Sequence, residues 1–165
     1  MSAPIEIYDD IKQYPKASLM QEYENLKHNE KDYADSITPG GVPYWKVIRG
    51  DDMTSDFANK VANYFKQTYG IEGRVDGRFY RLLANATLPY HTDRSTQCSI
   101  NMILSEGDPA SVKFRRNGVE QEYNYRLALL NTQEEHSVEN GPEDRILFKI
   151  SIFDEDYESV AAKIN

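Results

Sequence analysis

Between residues 78 and 153 the sequence is a succession of short strand-like segments separated by turn residues, and this pattern most constrains the fold. Many short strands preceded by helices are typical of a jelly-roll barrel with helices packed on its outside. We therefore predict a mainly β fold with flanking helices, in the form of a jelly-roll barrel. The predicted strands are 78–84, 99–104, 112–116, 119–125, 127–131, a short segment at His136, and 145–153.

Helical patterns precede these strands. The clearest is 54–69, where apolar residues recur at i, i+4 and i+7. Thr54 or Ser55 can cap its start, and Gly70 can end it. A shorter amphipathic helix is predicted over 18–28. The apolar face of the longer helix is predicted to consist of Phe57, Val61, Tyr64, Phe65 and Thr68.

Two strand features carry specific expectations. Asn117-Gly118 is typical of a two-residue β-hairpin. Folding about it places Arg115 opposite Glu120 on a charged face and leaves an apolar face on the other side. The final strand is apolar from residue 146 to 153 except at Lys149 and Ser151, so we expect it to lie at the centre of a sheet.

The composition indicates an ordinary globular protein in one domain over 1–165, with a helical part to about residue 70 and a barrel core over about 71–157. The net charge is −8, from 19 basic and 27 acidic residues. This charge argues against nucleic acid or an anionic membrane as a partner. Oligomeric state is not readable from the sequence.

The cysteine count and the apolar runs bear on localisation. Cys98 is the only cysteine, so neither an internal disulfide nor a Cys-rich zinc site is possible. The first 14 residues lack the apolar stretch of a signal peptide, and no run approaches the length of a membrane span. We therefore expect an intracellular, cytoplasmic protein.

The residues most informative about chemistry are His91-Thr-Asp93, His136 and Arg145. Residues i and i+2 of a strand share a face, so His91 and Asp93 can occupy adjacent positions on one metal. Two imidazoles and one carboxylate can form a facial triad on non-heme Fe(II) with three open positions. Those positions suit a bidentate 2-oxo acid and dioxygen. Arg145 is suited to bind the far carboxylate of that acid.

The turn residues Asn140-Gly141-Pro142 lie midway between His136 and Arg145. If the chain reverses there symmetrically, these two residues face each other on neighbouring strands. Opposed residues lie about 5 Å apart at Cα, so one anion is expected to span the metal and the guanidinium.

Each residue also has a simpler interpretation. A single histidine is more often a surface or core residue than a ligand, and an arginine is most often half of an ion pair, here with Asp144 or Glu143. Taken together, in this order and on this strand pattern, the residues favour the metal site.

The motifs resemble those of the Fe(II)- and 2-oxoglutarate-dependent oxygenases of the double-stranded β-helix type. The resemblance runs from about Arg78 to Tyr157. It rests on Leu-Pro-Tyr-His91-Thr-Asp93, on Cys98-Ser-Ile-Asn101-Met-Ile-Leu, and on the segment from His136 to Ile152. The order and the His-to-Arg gap look most like the aspartyl/asparaginyl β-hydroxylase branch, and prolyl hydroxylases are a more distant similarity.

The resemblance implies roles for single residues. His91, Asp93 and His136 would hold the iron, Arg145 would bind the distal carboxylate of 2-oxoglutarate, and Asn101 would help to hold the carboxylate beside the metal. The implied reaction uses dioxygen, hydroxylates an unactivated C–H bond and decarboxylates 2-oxoglutarate to succinate. Some β-hydroxylases of that branch lack the carboxylate ligand that Asp93 supplies, so the β-hydroxylase substrate does not follow from the resemblance.

The prime substrate is a small molecule or a protein side chain, and the sequence does not distinguish them. We place Arg81, Arg94, Tyr44 and Trp45 on the substrate side as a hypothesis, because they lie beside the metal motif or in the loop-rich N-terminal part. Two other functions stay open. One is a cupin-like module that binds a small acid or a metal without oxidation, and the other is a scaffold in which the triad is coincidental.

Overall fold

The computed structural model describes residues 2–8, 15–31, 48–50, 53–93, 95–107 and 109–165. These residues form strands β1 (Ile5–Ile7), β2 (Ile48–Arg49), β3 (Val75–Leu82), β4 (Thr87–His91), β5 (Cys98–Ile103), β6 (Ala110–Arg116), β7 (Val119–Tyr125), β8 (Leu127–Leu130), β9 (His136–Glu139) and β10 (Arg145–Ile152). The helices are α1 (Lys16–Leu26), α2 (Asp56–Tyr69) and α3 (Tyr157–Ile164), and a 3-10 turn, Lys27–Asn29, follows α1. All the strands predicted from residue 78 onwards are present, with ends shifted by up to three residues.

The strands form two antiparallel sheets. The larger has the order β1-β8-β5-β10-β3-β2, and the smaller has the order β4-β9-β6-β7. Their inner faces meet in one apolar cluster that includes Ile103 and Leu130 from the larger sheet and Phe114 from the smaller. The predicted jelly-roll barrel is therefore confirmed. β10 lies between β5 and β3, so its predicted central position is confirmed as well.

The outer face of the larger sheet is covered by the helices, which share a second apolar cluster with it. α2 begins after Ser55, whose hydroxyl accepts a hydrogen bond from the Ala58 N–H, and ends at Gly70 in the left-handed conformation. It packs so closely on β3 that a Cβ at Gly77 would lie 2.6 Å from the Ala58 carbonyl oxygen. A glycine is therefore required at that position.

The predicted buried face of α2 is wrong at two positions. Tyr64 is 51% exposed and Thr68 is also exposed. The face is rotated toward Ala58 and Ala62, which are buried with Val61. Small residues occupy these positions because the helix lies against the sheet at close range. The spacing of the large apolar residues therefore predicts the buried face incorrectly, because alanines contribute little to that pattern.

The hairpin at Asn117-Gly118 has the predicted register. Arg115 pairs with Glu120, and both turn residues have positive φ. The opposite face is buried on β6, as at Phe114, but Val119 on β7 is 65% exposed. β7 is an edge strand of the smaller sheet, so its apolar face extends beyond the core that covers β6.

The pairing predicted between His136 and Arg145 is wrong. β9 pairs with β4 and β6 in the smaller sheet, whereas β10 pairs with β3 and β5 in the larger. The chain between them crosses from one sheet to the other instead of forming a hairpin. The Asn140 side-chain amide stabilises this crossing by donating to the carbonyls of Leu82, Leu83 and Glu143.

Pro89 lies within β4, although a proline has no backbone N–H to donate to a neighbouring strand. The register of β4 against β9 shifts by one residue between Leu88 and His91, which places Pro89 and Tyr90 in a bulge. β4 is also an edge strand, where a missing N–H costs no ladder hydrogen bond. Among the described residues, no helix is long and apolar enough to cross a membrane.

Candidate metal centre

The two histidines of the predicted triad lie side by side on the smaller sheet. His91, at the end of β4, is paired in register with His136, the first residue of β9. The centroids of their rings are 4.3 Å apart, and each residue is only 7% exposed. The bulge at Pro89 and Tyr90 sets the face on which His91 projects. The partner of His136 across the sheet is therefore the other histidine, not Arg145.

Both imidazoles are held in one orientation by the backbone. His91 Nδ1 lies 2.8 Å from the Pro89 carbonyl oxygen, and His136 Nδ1 lies 2.8 Å from the Glu134 carbonyl oxygen. A carbonyl oxygen can only accept a hydrogen bond, so Nδ1 of each ring carries a proton and donates it. In the neutral form of each ring the lone pair lies on Nε2, the nitrogen that can bind a cation, and this arrangement orients histidine ligands in metal sites.

Asp93 completes the group from the segment after β4. Its Oδ1 lies 3.6 Å from Nε2 of His91 and 3.6 Å from Nε2 of His136. The three ligand atoms all lie within 4.8 Å of one another. The Asp93 backbone is fixed on both sides, since its N–H donates to the Thr132 carbonyl at 3.0 Å and its carbonyl accepts from Gln133 Nε2 at 3.1 Å.

The donor set fits a divalent transition metal. Two neutral imidazole nitrogens and one carboxylate oxygen converge on one point, in the combination that non-heme Fe(II) sites use. Among the described residues this is the only group of three or more candidate ligands. A cation held here would keep coordination positions open for other molecules.

The second oxygen of Asp93 is bound by a lysine that sequence reasoning passed over as a candidate. Lys149 Nζ, from the centre of β10, lies 2.9 Å from Asp93 Oδ2. Both side chains are about four-fifths buried, with 21% and 19% exposed. Burial alone would raise the pKa of the Asp93 carboxyl, but the Lys149 ammonium and His136 hold it well below its usual range.

Arg145 enters the barrel from the first position of β10. It is 8% exposed, and its guanidinium crosses to the smaller sheet, where Nη1 donates to the Ser111 carbonyl at 3.2 Å. Burial lowers the pKa of Arg145. No carboxylate of the described residues forms an ion pair with it, and its predicted alternative partner Asp144 binds Arg81 instead. A buried guanidinium of this kind is a suitable site for a ligand carboxylate.

Asn101 lies on the same inner face of the larger sheet, on β5 directly opposite Lys149. Its side-chain oxygen accepts from the Ser99 hydroxyl at 2.9 Å, and its amide donates to the Tyr125 hydroxyl at 3.3 Å. The structure thus brings Asn101 to the same level of the barrel as the lysine that binds Asp93.

Of the four residues predicted on the substrate side, Arg81 alone lies among the described residues. Arg81 shares a strand face with Phe79, which packs under the helices, and it binds Glu30 and Asp144. It therefore faces away from the barrel interior, and the substrate-side hypothesis has no support from its position. The other three predicted residues, Tyr44, Trp45 and Arg94, lie outside the described residues.

The buried imidazole of His91 makes the stability of the metal-free protein depend on pH. Burial and the charge of His136 lower the pKa of His91 to about 4, from an ordinary 6.5. Between these values the unfolded chain binds a proton that the folded protein does not, so stability falls as the pH is lowered from 6.5 to 4. We expect a loss of up to about 3 kcal/mol from this group.

Urea denaturation of metal-free protein from pH 7 to pH 4 measures this loss. In H91Q the slope of stability against pH should be smaller, while H28Q, which changes an exposed histidine, should keep the wild-type slope. Equal slopes in H91Q and the wild type would contradict the assignment.

Comparisons with known proteins agree with this architecture. No family model matches the sequence, and no curated protein matches it. A Pseudomonas putida prolyl-4-hydroxylase aligns over 92% of this chain and 91% of its own, with 13% identity and a TM-score of 0.63. A Trichoplax adhaerens prolyl hydroxylase, solved with a hypoxia inducible factor peptide fragment, aligns over 98% of this chain and 87% of its own, with 12% identity and a TM-score of 0.66.

The fold is a double-stranded β-helix. The non-heme alpha ketoglutarate dependent epimerase SnoN, from nogalamycin biosynthesis, shares it over 89% of this chain and 76% of its own, with 11% identity and a TM-score of 0.58. At these identities the likeness shows the fold alone. The function must be argued from the side chains of the site.

Proposed function

We propose that the protein is an Fe(II)- and 2-oxoglutarate-dependent dioxygenase that hydroxylates an unactivated C–H bond. The observation that carries the proposal is the convergence of His91 Nε2, His136 Nε2 and Asp93 Oδ1, with both imidazoles held in the metal-binding tautomer by backbone carbonyls. Two Nε2 atoms that face one carboxylate oxygen at 3.6 Å are arranged as a metal site of two histidines and one carboxylate requires.

Arg145 supports the choice of a dicarboxylic co-substrate. It is a buried cation without a carboxylate partner among the described residues, and it projects into the same barrel interior as Lys149 and Asp93. Burying an unpaired charge is unfavourable unless a ligand compensates for it. The 5-carboxylate of 2-oxoglutarate would do so, and Asn101 would assist at the end of the acid that faces the metal.

The protein's part in the reaction is to bind, orient and exclude water. The iron would supply the oxidative chemistry, coupled to decarboxylation of 2-oxoglutarate to succinate. The three ligands would hold it on one face only, the burial of His91 and His136 would limit water access, and Arg145 would fix the direction of the co-substrate.

The sequence motifs resemble those of the aspartyl/asparaginyl β-hydroxylase branch most, while prolyl hydroxylases stand among the fold neighbours of the chain. We keep that branch as a prediction and propose a small molecule or a protein side chain as the substrate.

Anaerobic titration with Fe(II) and then 2-oxoglutarate tests the proposal. We expect a weak visible charge-transfer band that requires both additions. H136A should lose the band, because one of two nitrogen ligands is removed. H28A is the matched control: it removes the exposed histidine of the 3-10 turn and should leave the band unchanged.

Either result is informative. A band with these properties, followed by succinate formation in air, would establish the oxygenase core. If wild-type protein shows neither the band nor succinate, the oxygenase proposal fails and a non-oxidative module that binds a small acid or a metal takes its place.

A further inference from the structure

The two oxygens of the Asp93 carboxylate face different groups. Oδ1 lies 3.6 Å from Nε2 of both histidines, whereas Oδ2 is bound by Lys149 Nζ at 2.9 Å and lies 3.4 Å from the Thr96 hydroxyl. One oxygen therefore faces the metal position, and the other is already occupied by an ammonium group.

Lys149 is held in this place by the sheet. It lies in the middle of β10, with Arg78 opposite it on β3 and Asn101 opposite it on β5. Its neighbours along the strand, Phe148 and Ile150, are fully buried on the helix side. Rotation of the strand that withdrew Lys149 from the barrel would expose those two side chains, so the ammonium stays beside Asp93.

We propose that Lys149 is a positioning residue that restricts Asp93 to one metal bond and keeps the metal centre positively charged for an anionic 2-oxo acid. This inference rests on the proposed function. By occupying Oδ2, the ammonium prevents the carboxylate from taking a second coordination position. A divalent cation, one carboxylate and one ammonium sum to a charge of +2, and this sum falls to +1 without the lysine.

The Lys149 ammonium is expected to affect the binding of the metal and the binding of 2-oxoglutarate in opposite directions. The ammonium repels a cation and competes with it for Asp93, so it weakens metal binding. It attracts the dianion 2-oxoglutarate, so it strengthens binding of the co-substrate to the metal-loaded protein. If Lys149 had only a structural role, its removal would lower the affinities for both the metal and 2-oxoglutarate, because the site would lose its shape.

The test compares K149M with the wild type in two binding measurements. In K149M we expect Mn(II) to bind about tenfold more tightly, measured by competition with a chelator, and 2-oxoglutarate to bind the Mn(II)-loaded protein about tenfold more weakly. A change of about tenfold in affinity is typical when a residue that orients a metal ligand is replaced. K149R keeps the charge and should restore both affinities to within about threefold.

The matched control is K113M. Lys113 lies on β6 of the smaller sheet and pairs with the exposed Glu139 at 3.7 Å, so its removal takes away one positive charge outside the barrel. Both affinities should stay at the wild-type values. If K149M does not fold, K149Q replaces it, because an amide can still donate to Asp93 Oδ2 without carrying charge.

The outcomes are distinguishable. The proposal would be supported if K149M binds Mn(II) more tightly and 2-oxoglutarate more weakly than the wild type, and if K149R restores both affinities. Affinities that stay at wild-type values, or that weaken together, would overturn it and leave Lys149 as an interior ion pair. If wild-type protein itself binds no divalent metal, the proposed function fails first.

Discussion

Replacing Asp93 with alanine is expected to weaken divalent-metal binding by at least about 100-fold and to destabilise the metal-free protein by about 3 kcal/mol. The loss of affinity follows because Asp93 Oδ1 is the only anionic donor in the triad. Metal titration and urea denaturation measure the two effects separately.

The destabilisation has a specific origin. In the structure, Asp93 is also the ion-pair partner of Lys149, and both side chains are about four-fifths buried. Removing one member of such a pair leaves the other charge without compensation. The surface variant E106A, which breaks the exposed pair with Lys16, should cost less than about 1 kcal/mol.

A double variant separates the two roles of Asp93. D93A/K149M removes both charges, so it should recover most of the stability that D93A loses, while its metal affinity stays low. If the double variant is as unstable as D93A, the ion pair is not the cause of the destabilisation. If D93A binds metal as tightly as the wild type, Asp93 is not a ligand.

The barrel and its group of candidate metal ligands could be predicted because they depend on local patterns. Strand alternation, the Asn117-Gly118 turn and the His91-Thr-Asp93 spacing each act over a few residues. Lys149 was missed although its signal was present. In β10 the odd positions 145, 149 and 151 are polar while the even positions are apolar. A central strand with a polar face indicates that the face lines a site.

Long-range pairing could not be predicted in this way. The turn residues at 140–142 are compatible with a hairpin, and only the tertiary structure shows that the chain changes sheets there. The place of Pro89 in a strand depends on the same kind of information, since a proline is acceptable in an edge strand with a bulge. Which strand lies at an edge is a property of the whole barrel and not of the segment.

The replacement of Arg145 by alanine is expected to raise the dissociation constant for 2-oxoglutarate by about 100-fold, because a buried carboxylate loses its charged partner. Metal affinity should be unchanged, since Arg145 is not one of the three candidate ligands. Calorimetric titration of Mn(II)-loaded R145A with 2-oxoglutarate measures the effect, and R74A, which changes an exposed arginine, is the control.

The choice of 2-oxo acid makes this prediction specific. Pyruvate carries the same 2-oxo acid group as 2-oxoglutarate but lacks the second carboxylate. R145A should therefore bind pyruvate about as weakly as the wild type does, while it loses affinity only for 2-oxoglutarate. An equal loss for both acids would show that the substitution disturbs the metal end of the site, and no loss for either would mean that Arg145 binds no part of the co-substrate.

Stability provides a second and independent readout for Arg145. In the ligand-free protein this guanidinium is buried and forms no ion pair with a described carboxylate. Its removal should therefore cost less than about 1 kcal/mol of unfolding free energy, because the desolvation cost of the charge is removed with it. By contrast, 2-oxoglutarate should stabilise the metal-loaded wild type against urea more than it stabilises R145A, since only the wild type gains the carboxylate–guanidinium pair on binding.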